Sequence, residues 1–165
     1  VSKQKQSGVR LEELYAKPGH LIRRCHQIAV ALFLEEMQDL NLTPIQFAIL
    51  AGVDTHPDID QISLAGLVAC DRTTIGNVVE RLEGRGLLTR TVDDTDRRVR
   101  LLRLTDEGRA VLADARPCTE TIQQRLLAPL SEAERQQFVS LLTRIADAHN
   151  ETSRAPLVTE RRRAG

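Results

Sequence analysis

Aromatic side chains are nearly missing from this sequence: its 165 residues include no tryptophan, one tyrosine and three phenylalanines. Any core must therefore be aliphatic, built from Leu, Ile, Val and Ala with Phe33, Phe47 and Phe138 as occasional anchors. Long runs rich in Leu, Ala, Arg and Glu then favour helix over sheet. Cysteine is scarce as well. Cys25, Cys70 and Cys118 are odd in number, widely spaced and form no CxxC pair, which argues against a disulfide framework and a structural zinc site. There is no apolar run of about 18 residues and no basic, apolar, small-residue leader, so neither a membrane span nor a secretory signal is expected and the cytoplasm is the expected location. The four histidines show no HExxH spacing, and neither GxSxG nor a phosphate loop occurs. An enzyme is not expected, nor a metal or cofactor.

Net charge is also lacking: lysines and arginines balance aspartates and glutamates at 23 each. A neutral chain argues at first sight against a nucleic-acid partner, because phosphate binding needs a basic surface. The distribution matters more than the sum. Between Gln61 and Leu104 there are eight arginines (72, 81, 85, 90, 97, 98, 100, 103) against six acids (71, 80, 83, 93, 94, 96). Several of those acids read as helix caps or arginine partners, which leaves the outward face more basic than the count. Lys3, Lys5 and the run Arg161 to Arg163 read as solubilising ends rather than as a second DNA contact.

What the sequence does have is concentrated between Cys70 and Gly108. Asp71 is placed as an N-cap, and Ile75, Val78, Val79 and Leu82 follow at helical spacing until Gly84 and Gly86. Two β-prone runs, Leu87 to Val92 and Val99 to Leu104, then flank the loop DDTDRR and read as a hairpin with a protruding tip. Thr105 is placed to cap another helix, with Asp106 and Glu107 suited to its dipole. Upstream, Thr43-Pro44-Ile45-Gln46 supplies a capping box and an N1 proline for a helix ending near His56-Pro57, and Asp60 to Val68 reads as a short helix. Two short helices joined by the turn Ala69-Cys70 form a helix-turn-helix, and the hairpin makes it winged.

Around this module lie apolar stripes without a partner in so small a unit. One runs from Pro18 to Leu40 through Leu21, Ile22, Cys25, Ile28, Ala29, Leu32, Phe33 and Met37. Another follows Thr105, where Pro117 predicts a kink or break. A last helix opens on the capping box Ser131 to Glu134 and carries Phe138, Leu141, Leu142 and Ile145. The expected fold is mainly α with a small β-hairpin, a winged helix-turn-helix between N- and C-terminal dimerisation helices. The expected divisions are a flexible tail at 1–10, dimerisation and ligand-pocket helices at 11–42, a DNA-binding lobe at 43–104, dimerisation helices at 105–152 and a flexible basic tail at 153–165. A two-fold homodimer presents two recognition helices to successive major grooves, so the expected partner is double-stranded DNA with an inverted repeat.

On the recognition helix Arg72, Thr73, Thr74, Asn77 and Arg81 fall on the exposed side. Arg reads guanine, Asn reads adenine, and Thr bonds phosphate or touches a thymine methyl. Gly76 costs about 1 kcal/mol relative to Ala at a helix-interior position, which close approach of backbone to DNA would explain. At the wing tip Arg97 and Arg98 are the groove-entering candidates, with Asp94 or Asp96 bracing a guanidinium.

Pro44 to Leu50, the run ending VVERLEGRGLL and the segment DDTDRRVRLLRLTDEG together resemble the MarR family of bacterial transcription regulators, over roughly His20 to His149. The resemblance implies a homodimeric winged helix-turn-helix repressor, with intertwined terminal helices, released by a small ligand or by oxidation. Many members carry Thr and Arg where this sequence has Gly76 and Asn77, so the resemblance gives the docking mode and not the base preference.

For the effector, His20, Arg23, Arg24 and His26 crowd the start of the first long helix beside the apolar stripe of Ile22, Ala29 and Phe33. A cation and an imidazole at the edge of aliphatic walls suit an aromatic carboxylate, with His56 as a weaker fifth candidate. Cys25, between Arg24 and His26, offers the alternative of a redox-sensing thiol, since neighbouring positive charge favours the thiolate. A winged-helix module that binds another protein instead of DNA is the reading that zero net charge favours.

Overall fold

The computed structural model describes residues 10–93, 97 and 99–158. Its elements run α1 (Leu11–Tyr15), α2 (Pro18–Glu36), α3 (Pro44–Thr55), β1 (Ile59–Asp60), α4 (Gln61–Leu67), α5 (Arg72–Gly84), β2 (Leu88–Val92), β3 (Arg100–Leu104), α6 (Asp106–Leu126), α7 (Glu132–Ala148) and a 3₁₀ turn at Asn150–Thr152. The fold is mainly helical with one small antiparallel sheet, as expected. No helix among the described residues is long and apolar enough to cross a membrane.

Capping residues set the starts of the central helices. Thr43 and Gln46 exchange both bonds of a capping box before α3, and the Asp60 carboxylate accepts from the Ile62 and Ser63 N–H groups, each at 2.9 Å. These caps satisfy donors that a helix leaves open at its first turn. The two helices of the helix-turn-helix end alike. At α4 the Cys70 N–H donates to Ala65 O at 2.9 Å and Ala69 to Gly66 O at 3.3 Å; at α5 Leu87 donates to Leu82 O at 3.0 Å and Gly86 to Glu83 O at 2.8 Å. Both are Schellman closures, which require a left-handed residue. Gly86 supplies it at φ 73°, whereas Ala69 is held at φ 49°.

The sheet order is β1-β3-β2, with Leu88 opposite Leu104 and Arg90 opposite Leu102. The third strand escaped sequence reading because two residues are too short for a pattern. Alternation buries Leu88, Leu102 and Leu104 against Ile49, Leu50, Val53, Leu64, Ile75, Val79, Leu82 and Leu112. At 25 cal/mol per Å2 this aliphatic cluster is the main favourable contribution to the lobe. The start of α6 is locked into the same unit. Thr105 accepts from the Gly108 N–H at 2.9 Å and donates its hydroxyl to Gly86 O at 2.7 Å. A Cβ at Gly108 would lie 1.9 Å from the Leu87 carbonyl oxygen. The T-x-x-G spacing is therefore a contact between a helix start and the turn that leads into β2.

Three expectations are corrected. The first long helix stops at Glu36, short of Leu40, because Met37 and Leu42 both turn into the core. The intervening bend is tied by Arg85, which donates to the Leu40 and Asn41 carbonyls at 2.9 and 2.7 Å. Pro117 does not break α6. A mid-helix proline costs about 3 kcal/mol, but Ala115 and Ile122 are buried on either side of it and Arg125 pairs with Glu35 and Glu36 of α2. The third concerns residues 153–158, expected as tail. They form a strap: buried Asn150 accepts from the Leu157 N–H at 2.8 Å and donates to its carbonyl at 3.2 Å, and the Val158 N–H donates to Gly66 O of α4 at 2.9 Å.

The terminal helices differ from the lobe. α1 and α7 contain no buried residue, and Leu11, Leu14, Val139, Leu141, Leu142 and Ile145 are all exposed.

Candidate nucleic-acid interface

The orientation of α5 follows from its two faces. Ile75, Val78, Val79 and Leu82 are buried, which leaves Arg72, Thr73, Thr74, Asn77 and Arg81 exposed. The Asp71 carboxylate accepts from the Thr73 and Thr74 N–H groups at 3.1 and 2.9 Å and from the Thr74 hydroxyl at 2.6 Å. Thr74 therefore has its hydroxyl proton committed to the cap. The side chains of Arg72, Asn77 and Arg81 have no hydrogen-bond partner among the described residues, so their donors are available. Gly76 is half-buried, and a Cβ there would meet Gln61 of α4 at 3.5 Å. That is ordinary contact, so no internal clash demands glycine at this position.

Two acids of the lobe are occupied. Glu83 pairs with Arg90 of β2 and Asp58 with Arg103 of β3. Arg90, by hydrogen bond first and by charge as well, holds the Glu83 carboxyl below its ordinary range, and Arg103 does the same for Asp58. Of the six acids counted in the segment, Asp71 and Glu83 are thus spent on internal positioning. At the hairpin end the Asp93 N–H donates to Val99 O at 3.2 Å. Arg97 is exposed, and its carbonyl accepts from Arg100 at 3.1 Å. Asp94, Asp96 and Arg98 lie outside the described residues.

Near the other end of α2, Leu21, Ile22, Cys25, His26 and Ala29 form one wall of an apolar groove of about 320 Å3; Leu126 of α6 and Phe138 and Leu142 of α7 form the other. Of the five ligand candidates only His26 lines it. His20 packs its ring on Tyr15 with centroids 5.5 Å apart, Arg23 donates to Gln27 at 2.8 Å, and Arg24 is exposed. His56 caps the end of α3, where its Nδ1 is 2.9 Å from the Thr55 hydroxyl. Phe33 is in the core and not at the groove. Cys25 is exposed while Cys70 is buried; burial, and then the Asp71 charge, push the Cys70 thiol up, which makes it a poor nucleophile.

Sequence reading also missed Arg154. The strap places it with Arg72 and Asp71 around one shallow cleft at the start of α5. No local pattern announces a contact between residues so far apart in the chain.

A sequence profile of the MarR family matches residues 42–99, which are α3 through the wing tip. The HTH-type transcriptional repressor NicR of Pseudomonas putida is 35% identical over 130 residues, covering 79% of this chain and 82% of NicR. The chain belongs to the MarR family. Two solved structures agree in fold. BpsR of Bordetella bronchiseptica, whose DNA binding is regulated by 6-hydroxynicotinic acid, is 35% identical with a TM-score of 0.77, covering 81% of this chain and 95% of BpsR. The repressor CouR, solved on a 23-mer DNA duplex, is 34% identical with a TM-score of 0.78, covering 85% of this chain and 99% of CouR. Like its MarR relatives, this protein is a transcription regulator and not an enzyme.

Proposed function

We propose that this MarR protein is a homodimeric repressor that binds an inverted-repeat operator and is released by a small aromatic carboxylate. The observation that carries the DNA reading is the outward face of α5: Arg72, Thr73, Asn77 and Arg81 are exposed, while the opposite face is buried. In this reading Arg72 and Asn77 contact base edges, Thr73, Thr74 and Arg81 fix the helix on the backbone, and Arg97 and Arg98 of the wing, braced by Asp96, enter the minor groove. The exposed stripes of α1 and α7 support a second copy as the partner.

Enrichment of bound sequences from a random duplex pool tests this. It should return half-sites about one helical turn apart, and absence of any sequence preference at moderate salt would sink the reading. Arg97→Ala should weaken binding about tenfold across sequences and leave the dimer intact.

For the effector, the groove beside α2 supplies apolar walls and His26, with His20, Arg23 and Arg24 on the same helix as the basic surroundings for a carboxylate. His56 stands apart from these and is the weakest member of the set. That BpsR answers to 6-hydroxynicotinic acid supports an aromatic acid. Binding need only favour one spacing of the two recognition helices, and a coupling of about 1–3 kcal/mol suffices. Titration of the operator complex with hydroxylated aromatic and heteroaromatic acids should release DNA in the wild type and less in His26→Ala. Equal release in both would remove His26 from the site. Cys25, exposed on the same groove, carries the second reading, a redox switch. Release by peroxide that Cys25→Ser abolishes, with no response to acids, would favour it.

A further inference from the structure

Asn150 is the only buried polar side chain among the described residues. A buried amide is costly unless it is paired, and this one spends its bonds on the chain that follows α7. Its Oδ1 accepts from the Leu157 N–H at 2.8 Å, and its Nδ2 donates to the Leu157 carbonyl at 3.2 Å and to the Glu151 carboxylate at 3.1 Å. Next in sequence, the Val158 N–H donates to Gly66 O, in the last turn of α4, at 2.9 Å. The Val158 Cβ and Cγ2 each lie 3.1 Å from where a Cβ on Gly66 would stand. Beyond its own helix that Cβ would meet nothing else within 4 Å among the described residues. A segment of the kind that usually frays is thus held at both ends.

The two ends of this strap belong to different parts of the molecule. Asn150 follows α7, which contains no buried residue and faces α2 and α6 across the apolar groove. Gly66 belongs to α4, which is closed by the Cys70 N–H on Ala65 O at 2.9 Å and leads through that turn directly into α5. Two other ties link the lobe to the terminal helices. Thr105, at the start of α6, donates to Gly86 O, and Arg85 holds the bend after α2 through the Leu40 and Asn41 carbonyls. Both of these ties grip the C-terminal end of α5. The strap grips the other end, where Ala155 and Pro156 share a cleft with Cys70 and Arg72.

We propose that residues 150–158 brace the start of the recognition helix against α7, and that Asn150 is a positioning residue that fixes which half-site spacing the dimer accepts. A helix held only at its C-terminal end can swing about that end, and a second hold at its start fixes its direction. The apolar stripe of α7 is left for a second copy, so the brace refers each recognition helix to the dimer and not to its own lobe alone. Half-site spacing is what a two-fold reader measures. A brace resists displacement only up to the free energy that holds it, and each of its hydrogen bonds contributes about a two- to tenfold factor. The proposal rests on the homodimer and operator reading above.

The test compares binding of the full-length protein to its selected operator with binding to operators carrying one base pair more or fewer between the half-sites. That change moves one half-site by about 3.4 Å and turns it by about 34°. The wild type should prefer the selected spacing, and in Asn150→Ala this preference should fall about tenfold while light scattering still shows a dimer. Gly66→Val reaches the same brace from α4 by pushing Val158 away. It should lower the preference alike, and it carries the test if Asn150→Ala does not fold. The double variant should lose no more than the larger single loss. A preference unchanged in both variants, with only the urea midpoint lowered, means that the strap merely stabilises the fold and overturns the proposal. Additive losses, a monomeric Asn150→Ala, or a wild type indifferent to spacing overturn it as well. If the wild type is monomeric or selects no inverted repeat, the underlying reading fails; if it is a spacing-selective dimer and both variants are equally selective, this inference fails alone.

Discussion

The lobe from α3 to the start of α6 and the helices at the two ends of the chain are built from the same aliphatic residues but use them differently. In the lobe Ile49, Leu64, Val79, Leu82 and Leu102 are fully enclosed by the chain's own elements, whereas on α7 Leu141 and Ile145 remain 46% and 52% exposed. The lobe is thus complete as a single chain, and the terminal helices are complete only with something laid over them. Substitutions in the enclosed core and on the exposed stripes should divide accordingly.

The largest effect belongs to the lobe. Gly108→Ala forces a methyl into the Leu87 carbonyl, 1.9 Å from the ideal Cβ, and backbone cannot yield as a side-chain tip can. Urea unfolding should show a loss of about 3 kcal/mol, with operator binding lost because the hairpin is displaced. A cost below about 1 kcal/mol would mean that α6 can slide on the strand. On the other side, Ile145→Glu on α7 should leave the unfolding of the lobe near wild type while light scattering shows monomer. Operator affinity should then fall about a hundredfold, because two half-sites are no longer engaged together. A dimer that persists would move the interface away from α7.

The same division governs what the sequence reveals. Capping at Thr43, Asp60, Asp71, Thr105 and Ser131 was readable because a cap is local, needing a side-chain oxygen and an N–H two or three residues on. The inward face of α5 was readable from spacing. What escaped was non-local. The turn at Met37 depends on that side chain reaching the core, continuity through Pro117 depends on Ala115, Ile122 and Arg125 holding both halves of α6, and the strap depends on Asn150 meeting Leu157 and Gly66 meeting Val158. The side-chain directions in the basic cluster near His20 escaped for a related reason. Nearness in sequence placed Arg23 and His26 together, but Arg23 turns to Gln27 while His26 faces the groove.

A smaller effect separates two helix ends within the lobe. Gly86 and Ala69 close equivalent Schellman motifs at φ 73° and 49°. An L-residue with a Cβ is disfavoured there by about 1–2 kcal/mol, partly offset by the greater freedom glycine loses on folding. Ala69 is exposed, so Ala69→Gly sacrifices no packing and should stabilise by about 0.5–1 kcal/mol in urea. A destabilised variant would show that the Ala69 methyl makes a contact of value in the turn.

The smallest expected effect is set by pH, and it again falls mainly on the lobe. Asp71, through the Thr74 hydroxyl first and then the α5 backbone, and Glu83, through Arg90, both have carboxyls held below their ordinary values of 3.8 and 4.5. A carboxyl lowered in the folded state binds its proton more readily when unfolded, so its stabilisation is complete above the ordinary value and disappears as pH falls through the lowered one. The midpoint of urea unfolding should therefore hold steady above about pH 5 and decline below about pH 4. Asp71→Asn preserves an oxygen that caps α5 as well as aspartate does, yet cannot titrate. Its decline should be shallower than that of the wild type, and two parallel curves would show that the Asp71 charge contributes nothing that its geometry does not.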